Sequence, residues 1–565
     1  MVNWIKYIHR QPAVVLCFVF MFLLALRPIE AFDTFWQLQS GKYIWQTKSF
    51  IYTDLFSIAA EVPRIEHCWL SDLIFYGLYS LGGYGLLGLL KPLLMTLCAV
   101  LLWCWNRRLG VASTVVLPVL GLCLLASEAS WLVRPQLWTF VLSLLYLHLL
   151  FAGRELGLRA WLWLVPVMAL WANLHAACVF GFVLVGLFWL GELIRFFRRQ
   201  TTGASLVALA LVGMLVFAAA FINPYGYKIP LILFGNINLH DIDNPGQLLN
   251  MEWLPPTFAQ VPLFYGVMLL WGVVILVRLR RLDPMEAIFY LAFLYMGLSM
   301  IRHTTLVVLL TGYFLPAGVA AAFPALTQPK PGAWLRWGTL AVLAGMLVLR
   351  GYQGFIGVGL KESEYPVAAT EFLLREQLPA PLYNSYDWGG YLMWRLYPDY
   401  LVFVDGRSDS PATFSASSLV DARRPEWSQL LDDYKINTIM TRTCFYDTGA
   451  PLNLIDGLTR HPGWALIYGD DTALIFVRRV ELLREYWEGR ELPATRAYTT
   501  MRAEAARLLA EDDSRTRVHL ALGRAALNLG ELSEALHHYR RHLAFDPQNR
   551  EAQNAVTLLP GRIAP

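Results

Sequence analysis

Long runs of fatty side chains broken by short polar joints dominate the chain as far as about residue 350. Runs of about 18 or more apolar residues read as membrane helices, because backbone in hydrocarbon must satisfy its own hydrogen bonds. The pattern predicts about eleven spans, at 12–31, 82–106, 111–127, 135–152, 160–176, 177–194, 204–222, 261–278, 284–301, 304–322 and 333–350. Beyond 351 the period changes. "APLYN", "YLVFVDGR", "INTIMT", "WALIYG" and "TALIFVRR" read as strands and "YPVAATEFLLREQL" as a helix, which predicts a small α/β domain over 351–480. The rest, 481–565, is helical. The expected fold is thus an α-helical polytopic membrane domain over 1–350, followed by an α/β domain and a helical tail.

Charge orients this arrangement. Alternate joints carry Arg107 and Arg108, then Arg154 and Arg159, then Arg195, Arg198 and Arg199, then Arg278, Arg280 and Arg281, then Lys330 and Arg336. Basic joints stay in the cytoplasm, so the amino terminus is cytoplasmic and an odd number of spans puts everything after about 351 outside. Lys6, His9 and Arg10 precede the first run as in a secretory signal, but Ile29-Glu30-Ala31 offers no small-x-small cleavage site, and the run reads as a retained helix. The composition, 56% hydrophobic and 16% charged with a net charge of +4, excludes nucleic acid as a partner. The seven cysteines show neither metal-ligand nor disulfide spacing.

The joints on the other face hold the candidate chemistry. Asp33 ends the first run amid Phe32, Phe35, Trp36 and Trp45, and "RIEHCWLSD" packs Glu66, His67 and Asp72 beside Trp69. Glu66 and His67 are candidates for a proton relay. Arg302 and His303 in "SMIRHTTLVVLL" either snorkel to the interface or form a cationic clamp for a phosphate, and Arg134 in "WLVRPQLW" poses the same choice. Asn173 and His175 either cap helix ends or support the site, and Asp72 and Glu128 are candidates for the same support. Asp241 and Asp243, spaced by one residue, are the weak candidates for a divalent cation, a spacing that also arises by chance. Asp405 and Arg407 either pair across a turn or offer the guanidinium to a lipid head group.

Two resemblances add to this reading. In "LGRAALNLGELSEALHHYRRHLAFDP", Leu522, Gly523, Gly530, Ala535, Tyr539 and Pro547 fall at the spacing of a tetratricopeptide repeat, with His542 at a position that family fills with a small residue. It reads either as a helical cap or as a docking surface for a partner protein. "FDTFWQLQSGKYI", "EHCWLSD", "RPQLW", "NLHAACVFG", "INPYG", "EWLPP" and "RHTTL" resemble the bacterial multi-spanning proteins grouped with the GT-C glycosyltransferases, which include dolichyl-phosphate-mannose mannosyltransferase-like enzymes. That resemblance implies Asp33 as catalytic base, in the first outer segment. GT-C enzymes often carry two adjacent acids there, whereas Thr34 follows Asp33 here, so the resemblance directs the search for a second carboxylate to Glu66, Asp72 or Glu128.

The chemistry runs parallel to the resemblance. Outside the cytoplasmic membrane there is normally no pool of nucleotide sugars, so a transferase there draws on a sugar carried by a polyprenyl phosphate. A carboxylate takes the acceptor hydroxyl proton, and fixed cations stabilise the departing phosphate. The expected protein is a glycosyltransferase of the bacterial inner membrane using a lipid-linked donor, with Arg134, Arg302 and His303 on the phosphate. The rival reading is a non-catalytic scaffold for envelope polysaccharide or pilus assembly. A lipid-linked sugar flippase ranks third, because the polar residues gather on one side.

Overall fold

Peptide groups with no water at hand close their own hydrogen bonds, and each predicted apolar run carries helix. The computed structural model describes residues 12–59, 62–229, 251–352 and 354–563. It divides into two compact units, the first taking the described residues up to Ile51 and from Ile65 to Leu360. Its main helices are α1 (Pro12–Ala25), α2 (Asp33–Thr47), α3 (Trp69–Arg108), α4 (Ser113–Ser127), α5 (Gln136–Leu156), α6 (Leu164–Leu174), α7 (Val179–Phe197), α8 (Gly203–Ala219), α9 (Pro262–Val277), α10 (Pro284–Ser299), α11 (Ile301–Thr311), α12 (Leu315–Ala322) and α13 (Pro329–Tyr352).

Among the described residues, three helices are long and apolar enough to cross a bilayer, Trp69–Arg108, Gln136–Leu156 and Ala176–Phe197. The pair α11 and α12, bent by 54°, reaches that length only when its two helices are counted together. Other apolar helices have 10–17 residues. Helix α3 leaves helical backbone at Gly82 and Gly83, where the predicted span 82–106 begins. Before that break it packs on α2 backbone to backbone: a Cβ on Gly41 would lie 2.1 Å from the Asp72 carbonyl oxygen. Aromatic residues fill much of the core. Trp131, Trp171 and Trp271 are buried, and their indole N–H groups donate to Ser127 (3.1 Å), Thr139 (2.9 Å) and Glu286 (3.3 Å).

The second unit gathers Tyr52–Arg64 with the chain from Lys361 onward. Its sheet has the order β1 (Leu382–Asn384), β2 (Thr438–Thr441), β4 (Leu474–Arg478), β3 (Trp464–Gly469), with β1 parallel to β2 and the other pairs antiparallel. The expected strand "YLVFVDGR" does not join it. Asn384 takes the place of a ladder there, its side chain accepting from Phe403 N (2.8 Å) and donating to Val404 O (2.8 Å). Val402 instead exchanges backbone bonds with Phe56 (3.1 Å) and Ile58 (3.0 Å) of the 52–64 segment. Helix α14 (Val367–Arg375) lies in the predicted helical stretch.

Buried charge fastens that segment. Arg407 is 2% exposed and lies 2.6 Å from Asp405 and 3.0 Å from Asp54, while Arg64 pairs with Asp409. The guanidinium is therefore enclosed by carboxylates and unavailable to a lipid head group. Four helices close the chain, α15 (Ala494–Glu511), α16 (Val518–Leu529), α17 (Leu532–Leu543) and α18 (Arg550–Leu558). Ala497, Met501 and Leu508 of α15 share one core with Leu466 and Phe476 of the sheet. Glu504 accepts from Arg442 Nε (3.0 Å) and Thr443 Oγ1 (2.6 Å). In α16 and α17, Gly523 stands against the ring of the buried Tyr539, and Gly530, at φ 83°, closes α16.

Two substitutions probe this unit. Arg407→Ala strands Asp54 and Asp405 and should cost about 3–5 kcal/mol, read as a lower unfolding midpoint of the full-length protein. Burial raises the Asp405 carboxyl, and the charge and hydrogen bonds of Arg407 more than offset this and hold it below its ordinary value. That stabilisation is present above about pH 4 and drains away as pH falls further, so the acid limb of the wild-type stability profile should flatten in Arg407→Ala. Gly389→Ala puts a Cβ 2.2 Å from the Val404 carbonyl oxygen and should cost about 1–3 kcal/mol in the same melts.

Candidate active site

Helix α2 starts at Asp33, whose carboxylate sits in the first turn where the helix dipole favours a negative charge. The buried hydroxyl of Thr34 donates to Val133 O (2.7 Å), which fixes the start of α2 against the strand of chain that leads into α5. Arg134 is the next residue there. Its Nη2 lies 3.0 Å from Asp33 Oδ2 and its Nη1 donates to Glu252 Oε1 at 2.9 Å. Pro135 then caps α5, with Leu137 N donating to Arg134 O (3.1 Å).

Glu252 belongs to a single 3₁₀ turn, Met251–Trp253. The following carbonyl, Leu254 O, accepts from Ile301 N (2.9 Å), which brings the first turn of α11 alongside. The Arg302 guanidinium consequently stands 5.0 Å over the Trp253 ring, a cation–π contact. Asp33, Arg134 and Glu252 all act on Arg302 electrostatically. Two carboxylates and two guanidiniums thus meet, drawn from four separated parts of the chain. The group is open to water: the Asp33, Arg134 and Glu252 side chains are 29%, 20% and 46% exposed, and Arg302 is exposed. Burial pushes the Glu252 carboxyl up, but the charge and hydrogen bond of Arg134, with Arg302 behind them, hold it below its ordinary value.

The remaining sequence candidates make bonds of their own. Glu66 is fully buried and accepts from Ser40 Oγ (3.0 Å), about 10 Å along α2 from Asp33. His67 is half-buried in the turn before α3, and Asp72 is buried where α3 meets α2. Glu128 faces Arg350 (3.2 Å) and Arg27 (3.7 Å). Asn173 accepts from Trp69 Nε1 (2.8 Å) and donates to Ala169 O and Ile222 O (both 2.7 Å), which is a packing role. His175 bonds Thr139 (2.8 Å), and His303 turns to Met296 O (3.2 Å) and the Phe180 ring. Asp241 and Asp243 fall outside the described residues. Among the described residues no group of three or more His, Cys, Asp or Glu is spaced to hold a metal ion. The carboxylate that shares Arg134 with Asp33 is Glu252, which comes from none of the three positions first considered. Its signal was the acid–aromatic pair ahead of Pro-Pro in "EWLPP".

No protein-family model and no curated protein matches the sequence. Solved structures do. The oligosaccharyltransferase of Archaeoglobus fulgidus, tethered to an acceptor peptide with an NVT sequon, superimposes with a TM-score of 0.54 at 11% identity, covering 85% of this chain and 75% of that one. The same organism's oligosaccharyltransferase AglB, bound to an inhibitory peptide and a dolichol-phosphate, gives 0.53 at 11% identity over 82% and 74%. These neighbours are membrane glycosyltransferases of the GT-C superfamily. The chain shares the fold of these neighbours. Within this fold the Thr34 bond seats Asp33 beside Arg134. Thr34→Val leaves the Val133 carbonyl without its donor and should lower stability by about 1–2 kcal/mol, measured as the thermal midpoint in detergent.

Proposed function

We propose that this protein is a membrane glycosyltransferase that moves a sugar from a polyprenyl-phosphate donor to an acceptor hydroxyl on the extracytoplasmic face. The observation that carries the reading is the Asp33–Arg134 pair at 3.0 Å with Arg302 alongside, in a water-accessible position. The GT-C fold supports it, since a neighbour of that fold was solved with a dolichol-phosphate. The basic joints support the face, because they hold the opposite ends of the helices in the cytoplasm.

The division of labour follows from charge. Asp33 accepts the hydroxyl proton as the acceptor oxygen bonds to the anomeric carbon. The bond from that carbon to the phosphate oxygen breaks, and the polyprenyl phosphate leaves with the electron pair. Arg134 and Arg302 neutralise the charge that develops on it, guanidiniums being suited to paired phosphate oxygens. His303 follows Arg302 on the same turn, with Nδ1 toward Met296 O, and adds a third donor to this clamp. The protein resides in a bacterial cytoplasmic membrane, and the α16–α17 pair offers a surface for a protein partner.

Asp33→Asn should cut transfer by about 10²–10⁴-fold, measured as release of polyprenyl phosphate from a radiolabelled prenyl-phosphate hexose in proteoliposomes. Transfer at the wild-type rate would remove Asp33 as the base, and no transfer by the wild-type protein would leave the scaffold reading standing instead. Arg134→Gln and Arg302→Gln should each weaken binding of farnesyl phosphate about tenfold, measured by titration calorimetry.

A further inference from the structure

Two guanidiniums near one another repel, and here a carboxylate of the chain itself is paired with one and acts on the other. Glu252 Oε1 is 2.9 Å from Arg134 Nη1, and its charge acts on Arg302, so one carboxylate addresses both members of the clamp. Asp33 takes the other end of the same guanidinium, at Nη2 (3.0 Å). The four groups together are neutral, two cations against two anions.

A polyprenyl-phosphate sugar is a phosphodiester with a single negative charge. Added to these four groups it would bring their sum to one negative charge; exchanged for Glu252 it leaves the sum at zero. Glu252 is also the member placed to move, being 46% exposed on a single turn, whereas Asp33 is built into the start of a helix whose next residue is buried. We propose that Glu252 is a placeholder for the donor phosphate: it pairs with Arg134, beside Arg302, before the donor binds and gives way when the prenyl phosphate arrives. The inference rests on the donor reading given above and assigns Glu252 a role that reading does not contain.

The exchange bears on turnover as well. Transfer converts the phosphodiester to a phosphomonoester, which carries close to two charges and is gripped more tightly by the same two guanidiniums. The return of Glu252 competes with that product and speeds its departure. A carboxylate that merely oriented Arg134 would have the opposite effect on binding, since its removal would loosen the guanidinium.

The test is calorimetric titration of the full-length protein in detergent with farnesyl phosphate, comparing wild type, Glu252→Gln, Glu252→Ala and Arg134→Gln, each checked for an unchanged melting profile. Both Glu252 variants should bind about fivefold more tightly than wild type, the worth of one exposed ion pair. Equal or weaker binding in both overturns the placeholder role while leaving the clamp intact, provided Arg134→Gln still binds more weakly than wild type. Should Arg134→Gln bind as well as wild type, the clamp itself fails, and the placeholder with it.

Discussion

A guanidinium cannot shed its charge, and Arg134 must hold one at the rim of a helical unit whose interior is lined with tryptophan and leucine. The local arrangement follows from that requirement. Counter-charge must come from outside the apolar runs, and it comes from two joints, one supplying Asp33 and the other Glu252. Neither joint is positioned by its charge alone. Thr34 pins the first through Val133, and Leu254 pins the second through Ile301. Because those two bonds lie on the backbones flanking the ion pairs, the charges meet at hydrogen-bond distance without being buried, which leaves them able to exchange partners.

Much of this was legible in the chain before any coordinates. Apolar periodicity located the helices, because helix is the only local structure that satisfies a backbone among fatty side chains. Asp33, Arg134 and Arg302 stood out because a charge at the end of such a run demands a reason. Glu252 did not stand out as their partner, since it is 118 positions from Arg134 and nothing local ties the two. Glu66 and Asp72 looked equally suited to chemistry, yet the close approach at Gly41 seals that stretch against α2. Composition distinguishes a carboxylate from a leucine but not a rim from an interior.

The second unit shows the same limit in a different setting. "YLVFVDGR" alternates like a strand, but an asparagine side chain on β1 occupies the hydrogen bonds a neighbouring strand would have taken. Likewise the change to helical pattern near residue 481 looks like a border, whereas α15 contributes Glu504 to the buried Arg442 and several side chains to the core of the sheet. Side-chain bonds that span tens of residues decided both outcomes, and such bonds leave no period in the sequence.

The 52–64 segment has a consequence for biogenesis. Asp54 is synthesised 353 residues ahead of Arg407, the guanidinium that encloses it. At ordinary elongation rates the interval is roughly 20–70 s. Throughout it, Phe56 and its neighbours hang from the nascent helices as an unfinished edge. Completion of the carboxyl-terminal unit therefore waits on the arrival of residues 402–409, so a ribosome that stalls or a message cut short before that point releases a chain whose earliest loop has nowhere to dock. The order of translation is in this way written into which fragments quality control will meet.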